Sequence, residues 1–183
     1  MKTLLGGLPA TFGLPIAIVQ HRGTDPHEEL AGSLQPFSPL PVQEVEDKEP
    51  IRGGTVYLAP PGYHLLIEGR SFALSTEAPI HFARPSIDVL FETAALAFRE
   101  RVIAIALTAS SRDGAAGIAK LKECRALVIV QDPTDAESPT LGRAVLAQTP
   151  VDYVLPLKEI APLLTRVAVS APLVQDSARP GRP

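Results

Sequence analysis

The sequence predicts a doubly wound α/β domain, and three observations carry that reading. Short apolar runs recur with little polar alternation, amphipathic stretches separate them, and one glycine-centred pair of runs signals a hairpin. The strand-like runs are Pro15–Val19 (PIAIV), Thr55–Ala59 (TVYLA), Val102–Leu107 (VIAIAL), Ala126–Val130 (ALVIV) and Val151–Leu155 (VDYVL). Strands without alternation suit a parallel sheet covered on both faces. His64–Glu68 (HLLIE) and Ser71–Ser75 (SFALS) flank Gly69-Arg70, so an antiparallel insertion is expected in the middle of the chain.

Between the runs lie helical patterns. In Ser86–Arg99 the residues Ile87, Leu90, Phe91, Ala94 and Phe98 fall on one helical face, with Pro85 just before the start. Gly114–Arg125, Leu141–Gln148 and Lys158–Ala168 read as further helices, and Met1–Leu8 as the last turns of a helix ending at Gly6-Gly7. The periodicity is lost from about Ala171. Residues 1–170 are therefore expected to form one domain, and 171–183 a disordered tail rich in Pro, Gly and Arg.

Composition narrows the function classes. The 183 residues are 45% hydrophobic and 20% charged, as in an ordinary globular domain. A net charge of −3 provides no basic footprint for nucleic acid, and no tryptophan is present to stack on bases. No apolar run approaches the roughly 20 residues that span a bilayer. No secretory signal is evident at the N-terminus, so a cytoplasmic protein is expected. The single cysteine, Cys124, forms no internal disulfide and reads as a small buried residue near a helix end.

In open α/β sheets, functional groups gather beyond the carboxyl ends of the strands. That rule selects His21 after PIAIVQ, Asp113 after VIAIALTASSR, and Asp132 after ALVIVQ. A histidine and an aspartate on neighbouring strand exits can serve as the base and orienter of a hydrolytic triad. Spacing alone leaves open that His21 is a structural histidine and that Asp113 caps the helix after it. His27, His64 and His81 show no metal-ligand spacing, and no metal or cofactor site is read from the sequence. Gly6-Gly7 and Gly53-Gly54 lack the spacing of a phosphate loop. The charged run Glu44–Glu49 (EVEDKE) reads as a solvated loop.

Taken in order, several stretches resemble the catalytic domain of the chemotaxis protein-glutamate methylesterases. Val19-Gln20-His21 resembles the segment that delivers the family's catalytic histidine. Glu46-Asp47 through Gly53, followed by Val56-Tyr57-Leu58-Ala59-Pro60-Pro61-Gly62, resembles its ED…G…YLAPGG stretch, with His64 in register. Arg84-Pro85-Ser86-Ile87-Asp88-Val89-Leu90-Phe91 is similar to RPSVDVLF, and Leu107-Thr108-Ala109-Ser110-Ser111-Arg112-Asp113-Gly114-Ala115-Ala116-Gly117 to LTGMGRDGAAG. Gln131-Asp132 and Val154-Leu155-Pro156-Leu157 also fit, so the resemblance runs from Met1 to about Leu164.

The resemblance implies that His21 is the catalytic base and Asp113 the triad acid. It implies hydrolysis of glutamate methyl esters on the cytoplasmic helices of chemoreceptors, with glutamine deamidation as the same acyl chemistry and no cofactor or metal. It also implies that the nucleophilic serine and its strand lie ahead of Met1. That strand would run between the His21 and Asp113 strands, so the expectation is an N-terminally truncated domain or a start further upstream. Ser110 and Ser111 lie on the acid's own loop, the wrong side of the histidine for a nucleophile. Where the family has Gly-Met-Gly, this chain has Ala109-Ser110-Ser111; a left-handed backbone there would cost on the order of 1 kcal/mol and disturb the oxyanion donors. The competing expectations are a non-hydrolysing relict that still binds receptor, and a hydrolase of the same fold with another ester or amide substrate. The receiver domain that commonly precedes this catalytic domain in the family is not in this sequence.

Overall fold

The computed structural model describes residues 1–21 and 29–170. His27 and the expected tail at 171–183 lie outside the described residues. In chain order the elements are α1 (Lys2–Gly6), β1 (Ile16–Ile18), α2 (Leu30–Leu34), a 3-10 turn (Gln35–Phe37), β2 (Val42–Glu44), β3 (Val56–Leu58), β4 (His64–Glu68) and β5 (Ser71–Ser75). There follow α3 (Ile87–Phe98), a 3-10 turn (Arg99–Arg101), β6 (Ile103–Ala106), α4 (Ala115–Glu123), β7 (Leu127–Gln131), α5 (Thr140–Gln148), β8 (Tyr153–Leu155) and α6 (Leu157–Ser170).

The parallel strands are divided between two sheets. One has the order β1-β3-β2 and the other β6-β7-β8, while β4 and β5 form the antiparallel hairpin. The hairpin spans both expected runs residue for residue.

Side-chain parity shows that the two sheets behave as one layer. Val56 and Leu58 of β3 and Ile129 of β7 enter a single apolar cluster with Leu4, Leu5 and Leu8 near α1 and Ile160, Ala161 and Leu164 of α6. On the opposite face, Ala104, Ala106, Val128 and Val130 pack against α3, α4 and α5. Tyr57 turns to that same side and meets Phe72 of the hairpin and Leu90 of α3, with the Tyr57 and Phe72 ring centroids 4.8 Å apart. Period-two strands between two helical layers produce this division of residues.

Strands β1 and β6 face the division, and among the described residues neither pairs beyond its own sheet. Ile16 and Ile18 of β1 and Ile103 and Ile105 of β6 reach the shared cluster yet stay half-buried, and Ala17 is exposed. The expectation of strands covered on both faces therefore holds for β3 and most of β7. It fails for β1, and for β8, where Tyr153 and Val154 are exposed at a sheet edge. A parallel strand is covered only when neighbours flank it, and these two lack one.

Two elements were not expected. Strand β2 overlaps the start of the charged run, and Val45 within that run is buried against Tyr57, so EVEDKE is not wholly a solvated loop. Helix α2 is a single short turn packed beside β2. Cys124 sits at the end of α4 as expected, but half-buried.

Candidate active site

Beyond the carboxyl ends of β1 and β6 the structure joins the two residues selected from the sequence. His21 Nε2 lies 2.6 Å from Asp113 Oδ2, across 92 positions of sequence. The Asp113 side chain is wholly buried, whereas that of His21 is 30% exposed. The third strand-exit residue, Asp132, is elsewhere: its Oδ1 accepts hydrogen bonds from Thr134 N–H and Oγ1, a local turn.

Asp113 is held by more than the histidine. Its Oδ2 also accepts the Ile87 N–H at 2.6 Å, and its Oδ1 accepts Ser86 Oγ–H at 2.7 Å and the Asp88 N–H at 3.1 Å. These donors belong to the first turn of α3. Asp113 thus caps a helix, though a different one from the helix that follows it in sequence; α4 starts at Gly114 without a side-chain cap. Its Asp88 counterpart on α3 returns the interaction, accepting Gly117 N–H of α4 at 2.7 Å. Each helix start is closed by a carboxylate from the other's segment, which satisfies otherwise orphaned N–H groups.

The glycines of Asp113-Gly114-Ala115-Ala116-Gly117 make this approach possible. A Cβ on Gly114, whose φ is +104°, would lie 2.6 Å from Ile87 Cγ2, and one on Gly117 would lie 2.6 Å from Phe91 Cβ. Larger residues would force α3 and α4 apart and break the exchange of carboxylates.

Electrostatics follow from these partners. Burial alone would push the Asp113 carboxyl up, but the hydrogen bonds from His21, Ile87, Ser86 and Asp88 outweigh it and hold the group down at about 2. Asp88 moves the other way: burial raises it and the Asp113 charge adds to the rise, against the Gly117 N–H. At neutral pH Asp113 is therefore an anion that accepts the Nε2–H of His21. The tautomer so fixed leaves the lone pair on Nδ1, which has no hydrogen-bond partner among the described residues. A part-exposed imidazole oriented by a buried carboxylate is equipped to remove a proton.

The remaining sequence candidates separate clearly. Ala109 and Ser111 are both outside the left-handed region, so the expected backbone strain is absent. Ser111 Oγ accepts the Asp113 N–H at 2.9 Å, facing the acid's own backbone, and Ser110 is exposed. Gln131 is buried and organises the same loop, its Oε1 accepting Thr108 N–H and its Nε2 donating to Asp135. His81 occupies an exposed turn. His64 is buried and hydrogen bonded at both ring nitrogens. Sequence reasoning missed Ser86 and Asp88 as site residues. The available signal was an Ser-x-Asp helix start, which reads as a local cap until the partner segment is known.

Comparison with known proteins finds a family match for the chain. The family described as CheB methylesterase matches residues 1–164. A protein of Leptospira interrogans (strain Fiocruz L1-130) named for protein-glutamate methylesterase/protein-glutamine glutaminase is 46% identical over 168 residues, covering 91% of this chain and 87% of that protein. The protein-glutamate methylesterase/protein-glutamine glutaminase of Symbiobacterium thermophilum is 35% identical over 168 residues, which make up 46% of its length. The crystal structure of the Thermotoga maritima CheB methylesterase catalytic domain superposes with a TM-score of 0.87 at 31% identity, covering 91% of this chain and 90% of that one.

Proposed function

Because this chain belongs to the CheB methylesterase family, we propose that residues 1–170 act as a protein-glutamate methylesterase domain, with His21 as general base and Asp113 as its orienter. The observation that carries the reading is the 2.6 Å contact between His21 Nε2 and a buried, anionic Asp113. The substrate is a glutamate γ-methyl ester on the cytoplasmic helices of a chemoreceptor, and the protein works in the cytoplasm. Glutamine deamidation is the same acyl transfer with ammonia as the leaving group. Among the described residues, no helix is long and apolar enough to cross a membrane.

In this mechanism the nucleophile is the serine hydroxyl that the family resemblance implies, approaching His21 from its Nδ1 side. His21 Nδ1 takes the serine hydroxyl proton as the oxygen attacks the ester carbonyl. The tetrahedral oxyanion is held by backbone N–H groups, and Asp113 stabilises the imidazolium without being protonated. Collapse expels methanol, which leaves with the proton from His21. Water, deprotonated in turn by His21, then hydrolyses the acyl-serine to glutamate.

A second reading has its own support, since no hydroxyl among the described residues is hydrogen bonded to His21. On that reading the domain binds receptor without hydrolysing it. Extending the reading frame upstream separates the two: an in-frame strand followed by a Gly-x-Ser-x-Gly-Gly turn supports the enzyme, and a stop codon supports the binder. The extended protein should release methanol from methylated receptor, and His21→Ala should cut that rate by roughly 10³-fold or more. Undiminished turnover by the His21→Ala protein would remove His21 from the chemistry. Turnover of small esters but not of methylated receptor would reassign the substrate.

A further inference from the structure

Behind Asp113 lies a second histidine that the proposed chemistry does not use. His64 begins β4 and is 1% exposed. Its Nδ1 accepts the Ser86 N–H at 3.2 Å, and its Nε2 lies 3.2 Å from the Ala78 carbonyl oxygen. Only a neutral ring with its proton on Nε2 satisfies both contacts. Ser86 is fully buried, and its hydroxyl behaves unusually. It stands at the N-cap of α3, where a serine ordinarily accepts a backbone N–H of the first turn, yet it makes no such bond. It donates instead to Asp113 Oδ1 at 2.7 Å, while Asp113 does the capping.

The result is one continuous path: His64 Nδ1 holds Ser86 N–H, Ser86 Oγ–H holds Asp113 Oδ1, and Asp113 Oδ2 holds His21 Nε2–H. Without the Ser86 hydroxyl, Oδ1 would keep only the longer 3.1 Å bond from Asp88 N–H, and the carboxylate plane would be free to tilt about the Oδ2 contacts to Ile87 and His21. We propose that His64 and Ser86 are positioning residues that act on His21 through Asp113, by fixing the plane in which the carboxylate meets the imidazole. The inference rests on the reading of His21 and Asp113 as base and orienter.

The test is the tautomer of His21, read from the ring ¹⁵N shifts of the labelled full chain at neutral pH, with amide spectra to verify folding. The wild type is expected mainly as the Nε2–H form, and Asp113→Ala should abolish that bias. Ser86→Ala should lower the ratio of Nε2–H to Nδ1–H roughly fivefold, the weight of one net hydrogen bond, and should change nothing further in the Asp113→Ala background. His64→Leu should act like Ser86→Ala. His64→Asn, whose amide oxygen can occupy the Nδ1 position, should restore the wild-type ratio.

An unchanged ratio in Ser86→Ala overturns the proposal, as does an equal shift with and without the Asp113 carboxylate. If Ser86→Ala does not fold, the His64 pair decides: equal ratios in His64→Leu and His64→Asn overturn it. A wild-type ratio in Asp113→Ala would instead sink the His21–Asp113 pairing itself, a failure recognisable as separate because it appears before either positioning residue is touched.

Discussion

Asp113 and His21 touch, yet the molecule builds them by opposite means. The acid sits in a dry notch between two helix starts, with four donors on its two oxygens. The base follows a three-residue strand whose far edge is unpaired, and apart from Asp113 its ring has no hydrogen-bonding partner among the described residues. A group that must stay charged under burial needs many fixed donors. A group that must gain and lose a proton each turnover needs one firm contact and one open face. On the proposed roles of Asp113 and His21, the contrast between notch and strand is what those two tasks require.

The comparison can be broken most forcefully at the notch. Gly114→Val places a branched side chain at a φ of +104° and against Ile87, and should destabilise the protein by about 3 kcal/mol or more in a denaturant titration. Asp113→Asn comes next, at on the order of 2 kcal/mol near pH 7. The Asp113 carboxyl is held at about 2 in the fold, against an ordinary 3.8. A lowered acid contributes its stability above the ordinary value and loses it as pH falls through the folded one. The gap between wild type and Asp113→Asn should therefore close between about pH 4 and pH 2; a gap that stays constant would show that the carboxylate's charge is not what holds it.

Asp88→Asn sharpens the contrast. The Asp88 carboxyl is raised, chiefly by burial, so the fold favours its neutral form and is weakened as pH rises above the ordinary carboxylate range. An asparagine keeps an acceptor for Gly117 N–H without a charge. At pH 7 it should cost less than about 1 kcal/mol and could add stability, unlike the same change at Asp113. At His21 the loss should be milder than at Asp113: His21→Ala should cost about 1 kcal/mol, because the ring is part-exposed and the carboxylate keeps its three donors from α3. A larger loss there would mean that the strand, too, depends on its histidine.

The sequence made the β6–β7–β8 half easier to read than the β1 half, for a physical reason. Strands such as Leu127–Gln131 are buried on both faces and announce themselves as continuous apolar runs. Strand β2 is three residues with a glutamine and a glutamate, held by pairing with β3 rather than by its own pattern. No local pattern encodes that neighbour. The strand-exit rule brought His21 and Asp113 forward together with Asp132, which the structure places in a local turn, and it was the family resemblance that singled out the pair. Their supports were not legible: Ser86 lies 27 positions from Asp113 and 22 from His64, and such contacts appear only once the helices are placed. His64 falls in register with the family stretch and lacks metal-ligand spacing, but its buried role depends on the Ser86 backbone N–H, which no side-chain motif records.

The crossed capping of α3 and α4 also bears on how the protein comes apart. Neither helix start can open without stripping a carboxylate from the other, so the amides of Ile87, Asp88 and Gly117 should exchange with solvent as one cooperative unit. A disturbance at the acid would then register as the joint loosening of two consecutive helices, long before the rest of the domain unfolds.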